Sequence, residues 1–436
     1  MADYDYDVEP RGVFFAVDNK SFYASVEASM RGWDPLDVCL VVMSEQENTN
    51  GGLILATSPE AKRRFNLRAN VSRQRDLPED ASIKVVPPRM NLYIKRNLEI
   101  NNVFRQFVAD EDLWPYSIDE SILDLTKSWR QFGASPVAVA QVIQHTVYER
   151  FGLYVTVGIG ENPAQAKIAL DIYAKHAENF IGQISYATVP QTIWCIKEMT
   201  SVWSIGRRTA EHLRRLGITN MNELAHANPY MLKQEMGMIG AQLFALSWGI
   251  DRAELRERVD VKSAGFSNSQ VLPRDYDDQH EIELVIKEIG EQLASRLRGH
   301  EKLTASVSLS IGFSYGVKER TGRGGFHQQL RLDATNDHEE IVRGLTYLFR
   351  KHWHGEAVRN IAVAGANLSA VTYRQLNLFV DPEAQEKKHQ VEATIDDLRH
   401  RFGFKALVYA RSTETGGTAL DRAALVGGHN GGNAYD

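Results

Sequence analysis

Three acidic residues, Asp18, Asp119 and Glu120, stand in contexts that could bring their carboxylates to one site. Asp18 follows an apolar run, and the other two lie inside the apolar-flanked segment 116–125. Three carboxylates without a cationic partner nearby in sequence would repel one another, and hard divalent cations such as Mg²⁺ relieve this by oxygen coordination. Two such ions activate an attacking oxygen and stabilise a leaving phosphate oxygen. These residues therefore indicate metal-dependent phosphoryl or nucleotidyl transfer.

The elements around Asp18 predict a strand followed by a helix. Residues 13–17 are apolar, rich in β-formers and too few for a helix, so they predict a buried strand. Phe22, Val26 and Met30 recur at four-residue spacing, which is typical of one helix face. Asp18 is thus expected at a strand-to-helix turn, where a helix-capping role is the common alternative.

Asp119 and Glu120 are adjacent in sequence, and alternation along a regular strand would send them to opposite faces. They can serve one site only at a hairpin or a strand start. A further strand is predicted over residues 154–160, followed by a helix that begins at Asn162-Pro163 and carries Lys167.

The 436-residue length favours roughly three domains of about 150 residues each. With 43% hydrophobic and 24% charged residues, the chain has the composition of a folded water-soluble protein. Its net charge of −6 argues against a polyanionic partner. That total conceals a strongly basic segment at residues 60–75, for which a solvated helix face is the alternative.

Cysteine usage and the N-terminus predict a cytoplasmic protein with no membrane segment. Cys39 and Cys195 are far apart and lack a metal-ligand pattern. Residues 1–10 carry acids where a secretory signal would carry Lys or Arg, and no apolar run approaches the roughly 18 residues of a spanning helix.

The second half of the chain contains two regions that could bind a nucleic-acid backbone. Residues 188–258 predict helices opened by glycine turns near Gly206 and at residues 237–240, and such turns can offer backbone N–H groups to phosphates. Residues 262–370 predict a β-α-β-β-α-β unit, in which residues 303–313 alternate apolar with hydroxylated side chains. Its polar face is basic, although a merely solvated face explains it about as well.

The remaining chain, residues 371–436, contains an exposed-looking apolar segment at 373–379 that predicts docking either to a partner or back onto the chain. A helix is predicted from about residue 383 to 402. The glycine-rich end predicts disorder.

Residues 15–27 (FAVDNKSFYASVE) and 116–126 (YSIDESILDLT) resemble the paired signatures of Y-family translesion DNA polymerases. The resemblance spans residues 12–379 and is greatest to the UmuC (ImpB/MucB/SamB) branch of Gram-positive bacteria. It implies an α+β right-hand polymerase with a ferredoxin-like palm, small fingers, a helical thumb with helix-hairpin-helix elements and a β-α-β-β-α-β little finger. The implied regions are palm (11–32 and 89–187), fingers (33–88), thumb (188–258), little finger (262–370), and a clamp-binding motif, helix and flexible tail (371–436).

The resemblance implies that Asp18, Asp119 and Glu120 bind two Mg²⁺ ions, with the backbone carbonyl of Asn19 as a further ligand. Tyr23 aligns with the steric-gate aromatic residue, which excludes a ribose 2′-hydroxyl.

Phe22 would flank this gate in the nucleotide site. Lys62 and Lys167 align with residues that bind the triphosphate. Ser58-Pro59 departs from the family pattern next to Lys62, so Arg63 or Arg64 remain alternatives.

The resemblance also implies surfaces for DNA and for a sliding clamp. The implied DNA contacts are Gly206, Arg207, Gly240, His327, Gln329 and Arg331, and the implied clamp contacts are Gln375, Leu376, Leu378 and Phe379. Primer–template DNA, a dNTP and the β-subunit clamp are the implied partners, in DNA repair under the SOS response. Whether UmuD-like and RecA-like proteins take part is left open.

Two other functions are compatible with parts of this pattern. A nucleotidyl or diguanylate cyclase also places metal-binding carboxylates on a palm-like sheet, but it has no use for a glycine-turn thumb or a clamp motif. A clamp-tethered DNA scaffold without catalysis would not need all three acids. The leading expectation is an error-prone, template-directed DNA polymerase.

Overall fold

The computed structural model describes residues 5–44, 52–257, 265–371, 381–427 and 429–431. They form two compact units, one from residues 5–44 and 53–257 and the other from residue 265 onward. Both units mix helices and strands, so the predicted α+β class is confirmed. No helix within these ranges is long and apolar enough to cross a lipid bilayer.

The first unit contains two sheets with helices packed against them. Its strands are β1 (Phe14–Asn19), β2 (Leu40–Met43), β3 (Ile54–Thr57), β4 (Lys84–Val86), β5 (Leu113–Pro115), β6 (Glu120–Asp124), β7 (Val155–Gly160) and β8 (Ile181–Gln183). Its helices are α1 (Phe22–Ser29), α2 (Pro59–Phe65), α3 (Met90–Phe104), α4 (Pro136–Phe151), α5 (Pro163–Ile168), α6 (Arg207–Arg215), α7 (Met221–Ala225), α8 (Pro229–Met236) and α9 (Met238–Ser247).

The larger sheet has the strand order β5-β6-β1-β7-β8 and is antiparallel except between β7 and β8. Phe15, Ala16 and Val17 of the central strand β1 are at most 1% exposed. A strand covered on both faces reads as a continuous apolar run, which explains the pattern of residues 13–17. The predicted strand is confirmed, and it extends through Asp18 to Asn19.

Two glycines of β7 allow a helix to lie directly on the strand. A Cβ atom on Gly158 would lie 2.1 Å from the carbonyl oxygen of Ala166, and one on Gly160 would lie 2.3 Å from the Ala166 nitrogen. Since both distances are far below van der Waals contact, a larger residue at either position would push α5 off the sheet. The glycines therefore fix the helix that carries Lys167.

The smaller sheet, with strand order β3-β2-β4, is covered on both faces. Leu40 and Val42 of β2 pack in an apolar cluster with α1. Val41 and Met43 pack on the opposite face in a cluster that includes Ala61 of α2. The alternation along β2 therefore attaches residues 33–88 to the helix that carries Tyr23.

Residues 188–257 form helices α6 to α9 and short 3-10 turns, as predicted. The turn at residues 237–240 differs from the prediction in one respect. Gly237 is the turn residue, with φ of +65°, whereas Gly240 is buried within α9. A Cβ atom there would lie 2.1 Å from the carbonyl oxygen of Leu232, and the Gly240 N–H donates to the Gly237 carbonyl. The predicted DNA contact at Gly240 is therefore corrected, because its N–H is already used and its role is close helix packing.

The second unit has the predicted β-α-β-β-α-β order, with one short helix inserted between its middle strands. Its strands are β9 (Phe266–Tyr276), β10 (Lys302–Phe313), β11 (Gly325–Thr335), β12 (Val358–Ala370), β13 (Leu425–Val426) and β14 (His429–Asn430). Its helices are α10 (Gln279–Gly299), α11 (Tyr315–Thr321), α12 (His338–His352), α13 (Pro382–Phe402) and α14 (Ala419–Arg422).

The main sheet of this unit is antiparallel, with strand order β11-β10-β12-β9. Val307, Leu309 and Ile311 of β10 are buried in the core formed with α10 and α12, as their alternation predicts. The hydroxylated side of β10 is less open than predicted, because Thr304 and Ser306 are buried where the register to β11 shifts.

The chain beyond Phe402 was expected to be flexible, and the structure differs. The Thr418 N–H donates to a carboxylate oxygen of buried Glu288 at 3.0 Å, and the Tyr276 hydroxyl donates to the Gly416 carbonyl at 3.1 Å. A buried carboxylate needs hydrogen-bond donors, and this segment supplies them. Residues 403–427 therefore pack on the second unit.

Asp337, His338 and Glu392 lie close enough together to hold a metal ion. However, Lys388 Nζ lies 2.6 Å from Asp337 and Arg298 lies 3.4 Å from Glu392. These cations already neutralise the carboxylates, so the cluster docks α13 onto the unit.

A buried carboxylate, that of Glu27, joins α1 to α3. It is 0% exposed. Arg89 donates to both of its oxygens at 2.9 and 2.7 Å, and the Tyr93 hydroxyl donates at 2.8 Å. Burial alone would raise the pKa of Glu27, but hydrogen bonds from Arg89, Arg31 and Tyr93 hold it below the ordinary carboxyl value.

Replacing Glu27 with alanine should lower the free energy of unfolding by about 3 kcal/mol, because it leaves the Arg89 guanidinium poorly solvated and unpaired with this acid. Since the folded pKa of Glu27 is lowered, its stabilisation is complete above the ordinary carboxyl pKa and is lost as pH falls through the folded value. Urea unfolding at neutral pH and at roughly pH 3 checks both points.

The matched control is Glu60→Ala, which removes an exposed ion pair with Arg63. It should change the free energy of unfolding little, because water screens exposed pairs. Equal losses for the two variants at neutral pH would contradict the role of Glu27.

Candidate active site

Asp18 and Glu120 lie directly opposite each other on the neighbouring strands β1 and β6. Asp119 precedes β6 in a turn, and its backbone carbonyl accepts a hydrogen bond from the Asn19 N–H at 2.9 Å. Because β6 begins at Glu120, Asp119 escapes the alternation that would have separated the two acids. The expected strand start is confirmed, and the three carboxylates lie near enough at the ends of these two strands to interact electrostatically.

Ser117 shapes the turn that presents Asp119. Its hydroxyl oxygen accepts hydrogen bonds from the N–H groups of Asp119 at 3.3 Å and Glu120 at 3.1 Å. The same hydroxyl donates to Asp119 Oδ1 at 2.7 Å. The turn therefore holds this side chain before any ligand arrives.

Two lysines neutralise the carboxylates. Lys167 Nζ lies 2.8 and 2.9 Å from the two oxygens of Glu120. Lys175 Nζ lies 2.9 Å from Asp18 Oδ2 and 3.6 Å from Glu120 Oε1. Asp171 contacts both lysines, at 3.1 and 2.9 Å. Lys167 was predicted, whereas Lys175 and Asp171 were missed.

The sequence held a signal for the missed pair. Lys167, Asp171 and Lys175 recur at four-residue spacing, which favours ion pairs along one helix face. In a regular α-helix, residues eight positions apart no longer share one face. Here α5 continues as a π-helical turn at Ala169–Tyr173. The wider turn keeps all three side chains facing the carboxylates.

Burial and charge crowding perturb the acids. Burial raises the pKa of Asp18 to about 6, against the opposing effect of Lys175, and the charges of Asp119 and Glu120 add to the rise. Burial, with a contribution from Glu120, also raises the pKa of Asp119. Burial lowers the pKa of Lys175, but Asp18 and Asp171 outweigh it, so the net shift is upward. The negative charge of the acids at this site therefore exceeds the positive charge of its two lysines.

The donor set fits a hard divalent cation. It consists of the carboxylate oxygens of Asp18, Asp119 and Glu120, and all three acids are at least partly buried. Oxygen-only donors suit Mg²⁺, Ca²⁺ or Mn²⁺, whereas softer metals prefer sulfur and imidazole.

A pocket of about 820 Å³ adjoins the carboxylates. Its lining includes Phe22, Tyr23, Lys62, Arg68 and Asp119. The predicted nucleotide residues of α1 and α2 thus share one cavity with one of the acids. Arg68 was not singled out by the sequence, although it lies in the basic segment.

The ring of Tyr23 is supported by a buried aromatic side chain. Its ring stacks on Tyr93, with centroids 4.4 Å apart and planes 12° from parallel. Tyr93 is 0% exposed and is anchored by its hydrogen bond to Glu27. Burial raises the pKa of Tyr23, with a contribution from Asp119. Tyr23 is therefore held in place by packing, and Tyr93 was missed because it is distant in sequence.

The structure distinguishes the three basic candidates of α2. Arg63 makes two hydrogen bonds to Glu60, at 2.8 and 2.7 Å. Arg64 contacts Asp80 at 3.4 Å. Lys62 instead lines the pocket, without an ion pair to any described residue.

Most predicted DNA contacts are exposed. They are Gly206 and Arg207 at the start of α6, and His327, Gln329 and Arg331 on one face of β11 in the second unit. The predicted clamp contacts, Gln375, Leu376, Leu378 and Phe379, lie outside the described residues.

Comparison with known proteins identifies two family domains. Residues 17–171 match the impB/mucB/samB family, and residues 263–378 match the C-terminal domain of the same family. The first match contains all three carboxylates and Lys167, and it ends before Lys175.

Relatives match nearly the whole chain. A Bacillus subtilis (strain 168) protein named for UV-damage repair, UvrX, is 37% identical over 98% of this chain and 99% of its own length. DNA polymerase IV 2 of the same organism is 33% identical over 96% of this chain and 98% of its own.

A solved Y-family DNA polymerase chimera of Dbh and Dpo4 has the same fold, with a TM-score of 0.65 and 20% identity over 82% of this chain and 99% of that chain. The resemblance of the two sequence signatures is thereby confirmed. This chain belongs to the impB/mucB/samB family, the UmuC-type branch of the Y-family DNA polymerases.

Proposed function

We propose that this protein is a template-directed, error-prone DNA polymerase that performs translesion synthesis by two-metal nucleotidyl transfer. The observation that carries the proposal is the cross-strand pair Asp18 and Glu120, joined by Asp119 beside a nucleotide-sized pocket. Relatives named DNA polymerase IV and a relative named for UV-damage repair support it.

Asp18, Asp119 and Glu120 would hold two Mg²⁺ ions, with Asn19 as a further oxygen ligand through its backbone carbonyl. The ions supply activation of the primer 3′-hydroxyl and stabilisation of the leaving phosphate oxygen. The strand pairing fixes the separation of two of these acids before substrates bind. Such preorganisation reduces the rearrangement needed to reach the transition state.

The lysines complete the charge balance. Lys167 and Lys175 neutralise Glu120 and Asp18, and we assign both to the triphosphate side of the reaction, where positive charge is required. Lys62 and Arg68 would bind the outer phosphates, because they line the pocket and Arg63 and Arg64 are engaged by acids.

Tyr23 would exclude ribonucleotides. Its ring lines the pocket and cannot retreat, because Tyr93 lies directly beneath it. A 2′-hydroxyl placed against an immobile ring has no room, and Phe22 closes the same wall.

We assign the regions of the first unit to palm (11–32 and 89–187), fingers (33–88) and thumb (188–258), and residues 262–370 to the little finger. Primer–template DNA would contact the exposed residues of α6 and β11. The basic charge of these surfaces supports binding despite the net charge of −6.

A cyclase is not favoured, because relatives that match almost the whole chain are named as polymerases. We propose that Gln375, Leu376, Leu378 and Phe379 bind the β-subunit sliding clamp. UmuD-like and RecA-like proteins are further candidate partners.

Extension of a primer on undamaged and abasic templates with Mg²⁺ and dNTPs tests the central proposal. Asp119→Ala should reduce extension by roughly a thousandfold or more while leaving DNA binding intact, because it removes a metal ligand and no phosphate contact. The control is Asp110→Ala, which removes an exposed acid paired with Arg105. Unimpaired extension by Asp119→Ala would refute the assignment.

Tyr23→Ala should increase the ratio of ribonucleotide to deoxynucleotide kcat/KM by at least about tenfold, because it removes the ring that blocks the 2′-hydroxyl. Tyr23→Phe keeps the ring and should keep the selectivity. Steady-state kinetics with matched nucleotide pairs measure the ratio. Unchanged sugar selectivity in Tyr23→Ala would rule out the gate.

Deleting residues 375–379 should weaken capture of the protein by immobilised sliding clamp, since it removes the apolar side chains that would dock. Extension without the clamp should be unchanged. Tyr373→Ala, just outside the pentapeptide, is the control. Full clamp capture by the deletion variant would show that the motif lies elsewhere.

A further inference from the structure

We propose that a pocket on the helical side of the second unit binds a short acidic segment of a partner protein. The pocket has a volume of about 630 Å³ and lies between α10, α12 and the C-terminal segment. We call it the outer pocket. It is defined here by Lys287 of α10, by Arg343, Tyr347 and Arg350 of α12, and by Arg411. The proposal does not depend on the polymerase function proposed above.

The outer pocket and the proposed DNA surface of the same unit lie on opposite sides of the main sheet. The helices α10 and α12 cover one face of this sheet through a shared apolar core. Leu330 of β11 packs against that core, and the residues that alternate with it, His327, Gln329 and Arg331, lie on the other face. A ligand in the outer pocket would therefore not compete with a ligand on that face.

Some charges around the outer pocket are already compensated. The Arg350 guanidinium donates to both carboxylate oxygens of Glu283, each at 2.7 Å. Arg411 is paired with a carboxylate of α10. Glu339, an acid in the pocket wall, accepts from Lys388 at 2.8 Å. These groups have little charge left with which to recognise a ligand.

Lys287 and Arg343 carry the charge that remains. Neither side chain makes an ion pair or a hydrogen bond within the part of the chain that the structure describes. A lone unpaired cation on an open surface needs no partner, because water solvates it. Here the two cations belong to different helices and line one concavity, where their fields add and attract anions. The electrostatics of the outer pocket therefore favour a negatively charged ligand.

The wall also offers apolar surface beside these cations. Tyr347 is 51% exposed and follows Arg343 by one helical turn, so both lie on the same face of α12. Val342 lines the pocket next to them. Tyrosine and arginine are enriched where proteins bind one another, and basic side chains recognise acidic motifs. This combination suits a peptide whose acidic residues flank an aromatic or aliphatic one.

A nucleic-acid strand fits the outer pocket less well. Binding to a phosphate backbone draws its affinity from many cations along a track, because each neutralised phosphate releases counterions. Lys287 and Arg343 form too short a track, and Glu339 would repel a continuous row of phosphates. A peptide can place its carboxylates at the two cations and an uncharged residue beside Glu339.

The test measures binding of a fluorescein-labelled acidic peptide, EDFEED, to the full-length protein by fluorescence anisotropy at low salt. The wild type should bind this peptide with a Kd below about 1 mM, and the neutral peptide QNFQQN at least about tenfold more weakly. The double variant Lys287→Gln, Arg343→Gln should lose about tenfold in affinity for EDFEED, because each change removes a charge-assisted contact. Thermal unfolding verifies that the variants are folded.

Arg331→Gln is the matched control. It removes one exposed cation of the same unit, but from the opposite face of the sheet. Each single variant, Lys287→Gln or Arg343→Gln, changes the net charge by the same amount and should weaken peptide binding by about threefold. Arg331→Gln should leave it unchanged. Affinity for a labelled oligo-dT strand should be the same in the wild type and in both pocket variants.

Several results would overturn the proposal. No binding of EDFEED at about 1 mM, or equal affinity for the neutral peptide, would show that the pocket does not recognise acidic segments. An equal loss in Arg331→Gln would reveal a nonspecific effect of net charge. Weaker oligo-dT binding by the pocket variants, with peptide binding retained, would assign the pocket to nucleic acid. Because the readout is peptide affinity, it stands whether or not the protein extends a primer.

Discussion

Asp18 and Glu120 face each other across one pair of antiparallel strands, and Asp119 is held next to them by the turn at Ser117. Because these carboxylates repel one another, the folded protein must offset part of their negative charge before any ligand binds. Lys167 and Lys175 supply the positive charge from a single helical segment. That segment reaches the acids only because Gly158 and Gly160 let it lie on β7. The arrangement of the active site, the π-helical turn and the two glycines of β7 can therefore all be traced to the need to neutralise these mutually repelling carboxylates.

A second buried charge, that of Glu27, organises the wall of the pocket that Tyr23 lines. Glu27 holds Tyr93 in place, and Tyr93 supports the ring of Tyr23. The ring that would meet the sugar is thus connected to the carboxylate by two contacts. A selective pocket needs such rigidity, since a mobile ring could move aside for a 2′-hydroxyl.

Local patterns predicted the central elements well. The apolar run before Asp18 and the strand start at Glu120 follow from burial and from alternation, which are properties of neighbouring residues. Lys175 was missed because its direction depends on a π-helical turn packed against β7. Tyr93 escaped notice because its stacking partner is distant in sequence.

The order beyond Phe402 could not be foreseen for a related reason. Glycine-rich sequence predicts flexibility, but the partner of this segment, buried Glu288, lies on α10. Gly240 shows the same limit: the sequence indicates a glycine, and only packing reveals whether it serves a turn or a close helix contact.

The packed C-terminal segment changes how a partner bound at residues 375–379 would be attached. Val371 donates a backbone hydrogen bond to Glu301, and α13 is fixed through Asp396 to Arg298, so the chain on both sides belongs to the same unit. A clamp bound there would be attached through chain that is anchored to the second unit on both sides, and not through a free end. Such a short double tether keeps the local concentration of the partner high and limits how far the polymerase can drift from it.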